Sequence, residues 1–176
     1  MSIWVFGYGS LVWRPGFPFV ARHAARVLGW RRRFWQQSTD HRGTPDAPGR
    51  VLTVVHDPDA PLWGMAYQVA AAVWPEVEAA LDVREQQGYD RADVIAAISA
   101  GEVVGPIVAE VRAYMFWATP ANPHYIGPED LAATAAIVRR SRGPSGDNPS
   151  YVHELRRALA AMGADDPEVD ALAALV

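Results

Sequence analysis

The sequence predicts an α+β domain spanning residues 1–176. Three observations lead there. Apolar runs of β type concentrate in the first two thirds of the chain, and helical spacing with clear start and stop residues dominates the last third. Nothing between them reads as a linker, an internal repeat or a low-complexity tract. Half of the residues are hydrophobic and a fifth are charged, an ordinary globular balance for a chain long enough to bury a sizeable core.

The first strand, Ile3 to Phe6, breaks at Gly7-Tyr8-Gly9-Ser10 and resumes as Leu11, Val12 and Trp13. Two glycines one residue apart interrupt pairing and allow backbone angles that other residues avoid. The expected product is a tight loop that exposes backbone N–H groups of Tyr8, Gly9, Ser10 and Leu11 to an anionic or carbonyl oxygen. A plain glycine-rich turn is the other reading. A dinucleotide fingerprint is excluded, because its third glycine is missing and no helix opens at Ser10.

Arg26 to Trp35 is crowded with Trp30, Trp35 and the run Arg31-Arg32-Arg33. These arginines are expected to edge a strand and pair with carboxylates, since no RNA-binding motif accompanies them. Ser38 to Gly49 is a polar loop with Asp40, His41, Arg42 and Asp46. Its Arg42 has the planar fork that grips a substrate carboxylate. Arg50 to Val55 and Trp63 to Val69 are predicted as a strand pair joined by the turn-rich Asp57-Pro58-Asp59-Ala60-Pro61. In the second of these, Met65, Tyr67 and Val69 share a face.

A helix follows, with Pro75 suited to its first turn and Glu76 and Glu78 to its positive end. Val77, Leu81 and Glu85 fall four apart on one face, and Gly88 is expected to end the helix. Glu85 therefore continues an apolar stripe, and a carboxylate there has its pKa raised by lost solvation, as a general base near neutral pH requires. The alternative is a salt bridge to Arg84. Asp93 to Ile98 reads as a strand or a short helix, and Ile107 to Trp117 as a long strand.

Gly127-Pro128-Glu129-Asp130 opens a helix with a Leu131, Ala135, Val138 stripe, closed by arginines and Gly143. After a loop at Pro144 to Asn148, Asn148 is expected to cap a helix that begins at Pro149. Tyr151, Leu155, Leu159 and Met162 share its buried face, and Gly163 stops it. The Tyr151 hydroxyl either reaches a cavity or is satisfied in the core. Asp166-Pro167 caps a short last helix.

A net charge of −4 gives no reason to expect nucleic acid. Cysteine is absent and the five histidines are scattered, so neither a disulfide nor a metal site is predicted. No apolar run is long enough to span a membrane. The opening Met-Ser-Ile-Trp carries no signal pattern, which predicts a cytoplasmic protein.

Val5-Phe6-Gly7-Tyr8-Gly9-Ser10-Leu11, with Trp13 and Pro15-Gly16-Phe17, resembles the opening of the ChaC family of γ-glutamylcyclotransferases. Further blocks follow in order: Arg33-Phe34-Trp35-Gln36, Ser38-Thr39-Asp40-His41-Arg42-Gly43, Trp63-Gly64-Met65-Ala66-Tyr67, Leu81-Asp82-Val83-Arg84-Glu85, Gly88-Tyr89 and Gly143-Pro144-Ser145-Gly146-Asp147-Asn148 with Tyr151. The likeness weakens between Tyr89 and Trp117 and beyond Gly163. It implies a small mixed β-sheet curled into a partial barrel with helices around it. It also implies cleavage of glutathione to 5-oxoproline and Cys-Gly, without metal or cofactor. By this resemblance Glu85 corresponds to the catalytic glutamate, and Tyr8-Gly9-Ser10-Leu11 to the loop that holds the γ-glutamyl group. Arg42 is then the candidate for the glycine carboxylate, and Tyr151 a further substrate contact. Two alternatives stay open: cyclotransfer on other γ-glutamyl amino acids or amines, and a non-catalytic γ-glutamyl-binding module.

Overall fold

The computed structural model describes residues 2–85 and 88–176. Five strands carry the fold: β1 (Ser2–Gly7), β2 (Ala21–Ser38), β3 (Gly49–Ala70), β4 (Asp90–Ser99) and β5 (Ile107–Trp117). They close into a barrel in the order β1-β3-β2-β4-β5. Most of the wall is two long antiparallel ribbons, β2 with β3 and β4 with β5. Two short seams join them, Ala25 and Arg26 against Ile98 and Ala97, and a parallel contact of Val5 with Tyr114. The expected partial curl therefore goes to closure, which removes the exposed sheet edges that invite wrong pairing.

Residues 50–69 correct one expectation. They form not a strand pair but a single run, and both halves of β3 lie against β2. The pairing jumps from Leu28–Pro61 to Trp30–His56, so Asp57 to Ala60 bulge outward opposite Gly29 alone. Gly29 takes φ +85° there, a conformation costly for any residue with a Cβ. The turn-forming residues are absorbed by this bulge, where Pro58 has no ladder N–H to supply. The expected face of Met65, Tyr67 and Val69 is buried, and Ala66 on the opposite face is buried too.

Helix α1 (Trp74–Arg84) buries Val77 and Leu81. It stops at Arg84, one residue earlier than the stripe suggested, and Glu85 is its C-cap. Gly88, at φ +79°, lies in the turn beyond. Residues 90–99 are strand, which decides between the two readings of that stretch. Helix α2 (Leu131–Arg140) is capped by Asp130, which accepts from the N–H groups of Ala132 and Ala133. A two-residue hairpin, β6 (Arg142–Gly143) with β7 (Gly146–Asp147), replaces the predicted loop and leads into α3 (Asn148–Met162). Helix α4 (Pro167–Ala173) follows, capped by Asp166.

The cap of α3 is a second correction. Asp147, not Asn148, accepts the Ser150 N–H. Asn148 is fully buried and reads the β3 backbone at Arg50, accepting its N–H at 2.6 Å and donating to its carbonyl at 2.8 Å. A side-chain amide can satisfy one donor and one acceptor of a strand at once; a carboxylate cannot donate. The buried interior otherwise runs from Val5, Phe6 and Tyr67 to Leu81, Met115, Leu155 and Leu172.

This division of labour is testable. Asn148→Ala leaves two buried backbone groups at Arg50 unpaired, a loss of about 2–6 kcal/mol at about 1–3 kcal/mol each. Asp147→Ala removes only a cap, worth about 1 kcal/mol. Thermal unfolding followed by circular dichroism should therefore show the larger fall in Tm for Asn148→Ala.

Candidate active site

The loop after β1 forms one wall of the site. Gly7 is required by close approach, since a Cβ there would lie 2.4 Å from the Leu11 Cβ. Beyond it the chain makes a 3-10 turn over Ser10–Val12. The N–H groups of Val12 and of Trp13 and Arg14 return to the carbonyls of Gly9 and Ser10. The first N–H groups of such a turn have no partner within it, and those of Gly9, Ser10 and Leu11 meet no backbone acceptor among the described residues.

Glu85 faces this loop from the end of α1. Its side chain is 18% exposed, and burial pushes its carboxyl up to about 7, with Arg84 opposing the shift. Arg84 explains why the opposition is weak. Its Nη1 donates to the carbonyls of Arg14 and Pro15, each at 2.7 Å, and its Nη2 to Ser10 Oγ at 2.8 Å. Only Nε approaches Glu85 Oε1, at 3.7 Å, a charge contact without hydrogen-bond geometry. The two features expected of Glu85 are both present: an ion pair with Arg84 exists, and burial still pushes the carboxyl up to about 7. Arg84 serves mainly as the strut between α1 and the glycine loop.

Three tyrosines surround the carboxylate, Tyr8 and Tyr151 buried and Tyr89 half-buried. Tyr8 is held well above the ordinary tyrosine range by burial and then by the Glu85 charge. Tyr89 behaves alike and donates to the Leu52 carbonyl at 2.7 Å. Burial pushes Tyr151 up to about 12, partly offset by the Leu52 backbone and Arg42. All three stay neutral while Glu85 titrates. The Tyr151 hydroxyl lies 3.3 Å from where a Cβ on Gly9 would sit, and Trp13 packs edge-on against its ring.

The cavity has two lobes that share Ser10, Glu85, Tyr89 and Tyr151. The inner one, about 60 Å³, is lined by Tyr8, Gly9 and Leu11 besides these. The outer one, about 200 Å³, adds Arg14, His41, Arg42 and Ser145. Arg42 stacks over the Tyr151 ring at 5.7 Å and gives one N–H to the Asp147 carbonyl at 2.9 Å. No carboxylate pairs with it among the described residues. The outer lobe is thus cationic and the inner lobe neutral except for Glu85.

All seven residues singled out in the sequence, Tyr8, Gly9, Ser10, Leu11, Arg42, Glu85 and Tyr151, line one lobe or the other. The Ser10 hydroxyl accepts from Arg84 Nη2. Tyr89 and the strut role of Arg84 escaped sequence reading, although both lie in blocks of the family likeness. Among the described residues no group of histidine, aspartate and glutamate side chains could hold a metal ion, and no helix is long and apolar enough to cross a membrane.

A larger cleft, about 890 Å³, lies between Arg31–Trp35 of β2 and the α3–α4 junction. Its cations are already paired, Arg31 with Asp57, Arg32 with Asp166 and Arg33 with Glu168, as expected for an arginine run that edges a strand. Among the described residues it therefore offers no unpaired cation to a ligand.

The family described as ChaC-like protein matches residues 3–176. The chain is 40% identical to gamma-glutamylcyclotransferase 2-3 of Arabidopsis thaliana, over 98% of this chain and 87% of that protein. It is 40% identical to glutathione-specific gamma-glutamylcyclotransferase 1 of Homo sapiens, over 88% of this chain and 68% of that one. The crystal structure of a γ-glutamyl cyclotransferase specific to glutathione from yeast superposes with a TM-score of 0.91 at 31% identity, covering 99% of this chain and 95% of the other. With sequence and fold matched over nearly the whole length, the chain belongs to the ChaC-like protein family.

Proposed function

We propose that this protein is a glutathione-specific γ-glutamylcyclotransferase, releasing 5-oxoproline and Cys-Gly with Glu85 as the acid and base. One observation carries the reading: a desolvated carboxylate that titrates near 7 faces a loop of free N–H groups across a narrow lobe. The relatives named for this activity on glutathione support the substrate.

The chemistry needs little more. In a γ-glutamyl residue the α-amine and the γ-carbonyl belong to one unit, so attack of one on the other closes a five-membered lactam. Holding them in attack geometry contributes up to about 7–11 kcal/mol. The amine arrives mostly protonated, with a pKa of about 7.7–8.0. Ionised Glu85 takes that proton, the amine adds to the γ-carbon, and the oxyanion rests on the N–H groups of Gly9, Ser10 and Leu11. Glu85 then returns that proton to the amide nitrogen and the C–N bond breaks; ionised again, Glu85 takes the second proton of the ring nitrogen and passes it to the freed amine, so that 5-oxoproline leaves as a neutral lactam and Cys-Gly as an ammonium. No water is consumed, and the base is regenerated for the next turnover.

The lobes divide the substrate accordingly. The reacting γ-glutamyl end takes the inner lobe, beside Glu85 and the tyrosines. Cys-Gly extends into the outer lobe, where Arg42 receives the glycine carboxylate.

Release of 5-oxoproline from reduced glutathione, with γ-Glu-Ala in parallel, tests the reading. Glutathione should turn over and γ-Glu-Ala poorly; equal turnover would shift the assignment to γ-glutamyl compounds in general. Glu85→Gln keeps the shape and loses the base, and should cost about 10²–10⁴ in kcat with KM little changed. Survival of more than a tenth of wild-type turnover would remove Glu85 from the role.

The Arg42 assignment is checked with glutathione amidated at its glycine carboxyl. Loss of a charge-assisted pair of about 1.5–3 kcal/mol should weaken kcat/KM of the wild type for the amide by roughly tenfold or more. Arg42→Ala should treat acid and amide alike. A variant that still prefers the acid would place that carboxylate elsewhere.

A further inference from the structure

We propose that Arg32 is the positioning residue of this site: anchored by Asp166 at the start of α4, it holds the Tyr8–Gly9 peptide so that the Gly9 N–H faces the reacting carbonyl oxygen. This rests on the preceding reading, in which the glycine loop receives that oxygen.

Arg32 is 2% exposed, and every side of its guanidinium is tied to a different element. Nε donates to the Tyr8 carbonyl at 2.8 Å, Nη1 to Asp166 Oδ2 at 2.9 Å, and Nη2 to the Trp63 carbonyl of β3. A planar fork with three fixed partners has one orientation available. Asp166 is equally constrained, because its Oδ1 accepts the Glu168 and Val169 N–H groups that open α4, both at 3.2 Å.

The consequence lies in the peptide plane. No peptide bond among the described residues is cis, so the Tyr8 carbonyl and the Gly9 N–H point in opposite directions. With the carbonyl bound to Arg32 on the buried side, the N–H is turned toward the inner lobe, which Gly9 lines together with Ser10, Glu85 and Tyr151. It meets no acceptor among the described residues. Glycine is a demanding choice here, since it tolerates backbone angles on both sides of φ and makes the preceding peptide easy to flip. A flipped peptide would aim a carbonyl dipole at the developing oxyanion and repel it. The Arg32 bond opposes that flip. A helix that contributes no side chain to the cavity is in this way wired to the reaction through two hydrogen-bonded side chains.

The test uses Arg32→Lys, which keeps a charge for Asp166 but lacks the fork that reaches Tyr8. Disordering an oxyanion donor should lower kcat for glutathione at least tenfold, a part of the roughly 10²–10³-fold that outright removal of such a donor costs, while KM stays within about twofold. Tyr8–Gly9 is the only Tyr–Gly step in the sequence, so ¹³C-carbonyl tyrosine with ¹⁵N glycine gives one NMR cross-peak for this peptide. In the Glu85→Gln protein, expected to bind glutathione with turnover cut at least a hundredfold, glutathione should shift that peak, and adding Arg32→Lys should abolish the shift. An Arg32→Lys protein that folds and keeps wild-type kcat would overturn the proposal. Should Arg32→Lys fail to fold, the Glu85→Gln arm decides, because a cross-peak unmoved at saturating glutathione overturns it as well. Wild-type turnover separates the two levels: no 5-oxoproline from any γ-glutamyl donor overturns the underlying reading, and the role of Arg32 with it.

Discussion

A carboxylate kept out of water and only loosely neutralised is the constraint around which this molecule is arranged. Glu85 sits at the C-cap of α1, where the carbonyl end of the helix dipole disfavours negative charge. Burial acts in the same direction. Its cationic neighbour Arg84 has committed its terminal nitrogens to loop carbonyls and the Ser10 hydroxyl. Had those nitrogens turned to Glu85 in a bidentate pair, the carboxylate would be a structural ion with a low pKa and no use as a proton carrier. The strut that joins α1 to the glycine loop is therefore also what leaves the Glu85 carboxyl without a bidentate partner.

The surrounding elements serve that arrangement. The barrel brings β1 beside β3 and so sets the glycine loop against Leu52, whose backbone meets the hydroxyls of Tyr89 and Tyr151. Asn148 clamps the start of α3 to β3 at Arg50, which places Tyr151 over the loop and under Arg42. Charge is partitioned along the cavity, with the acid and neutral phenols inside and Arg14 and Arg42 outside. A substrate with an ammonium beside its reacting carbonyl and a carboxylate at its far end matches that polarity.

Much of this was legible in the sequence. The glycine loop, the helical spacing of Val77, Leu81 and Glu85, and the arginine of the polar loop each carry a local signal, and the family likeness ordered them into one site. What stayed illegible has a physical cause. Asp57 to Pro61 has the residues of a turn, but a long partner strand with Gly29 opposite can absorb them as a bulge. Asp147 and Asn148 are both good caps, and only the position of Arg50 in space decides which one is used. Arg32 looks like its neighbours Arg31 and Arg33; its contact with Tyr8 joins residues far apart in the chain, and local sequence carries no trace of it.

The central claim concerns the proton affinity of one side chain, so a direct titration tests it best. Carbon-13 NMR of the side-chain carboxyls, assigned through Glu85→Gln, should show one glutamate with a midpoint near 7 against about 4.3 for an ordinary one. Between those values the carboxyl keeps its proton, so kcat/KM for glutathione should fall about tenfold per pH unit below the same midpoint, as one protonation of the base requires. A Glu85 carboxyl that ionises between pH 4 and 5 would contradict the account, since a base of ordinary strength would be no better suited to this reaction than any surface glutamate.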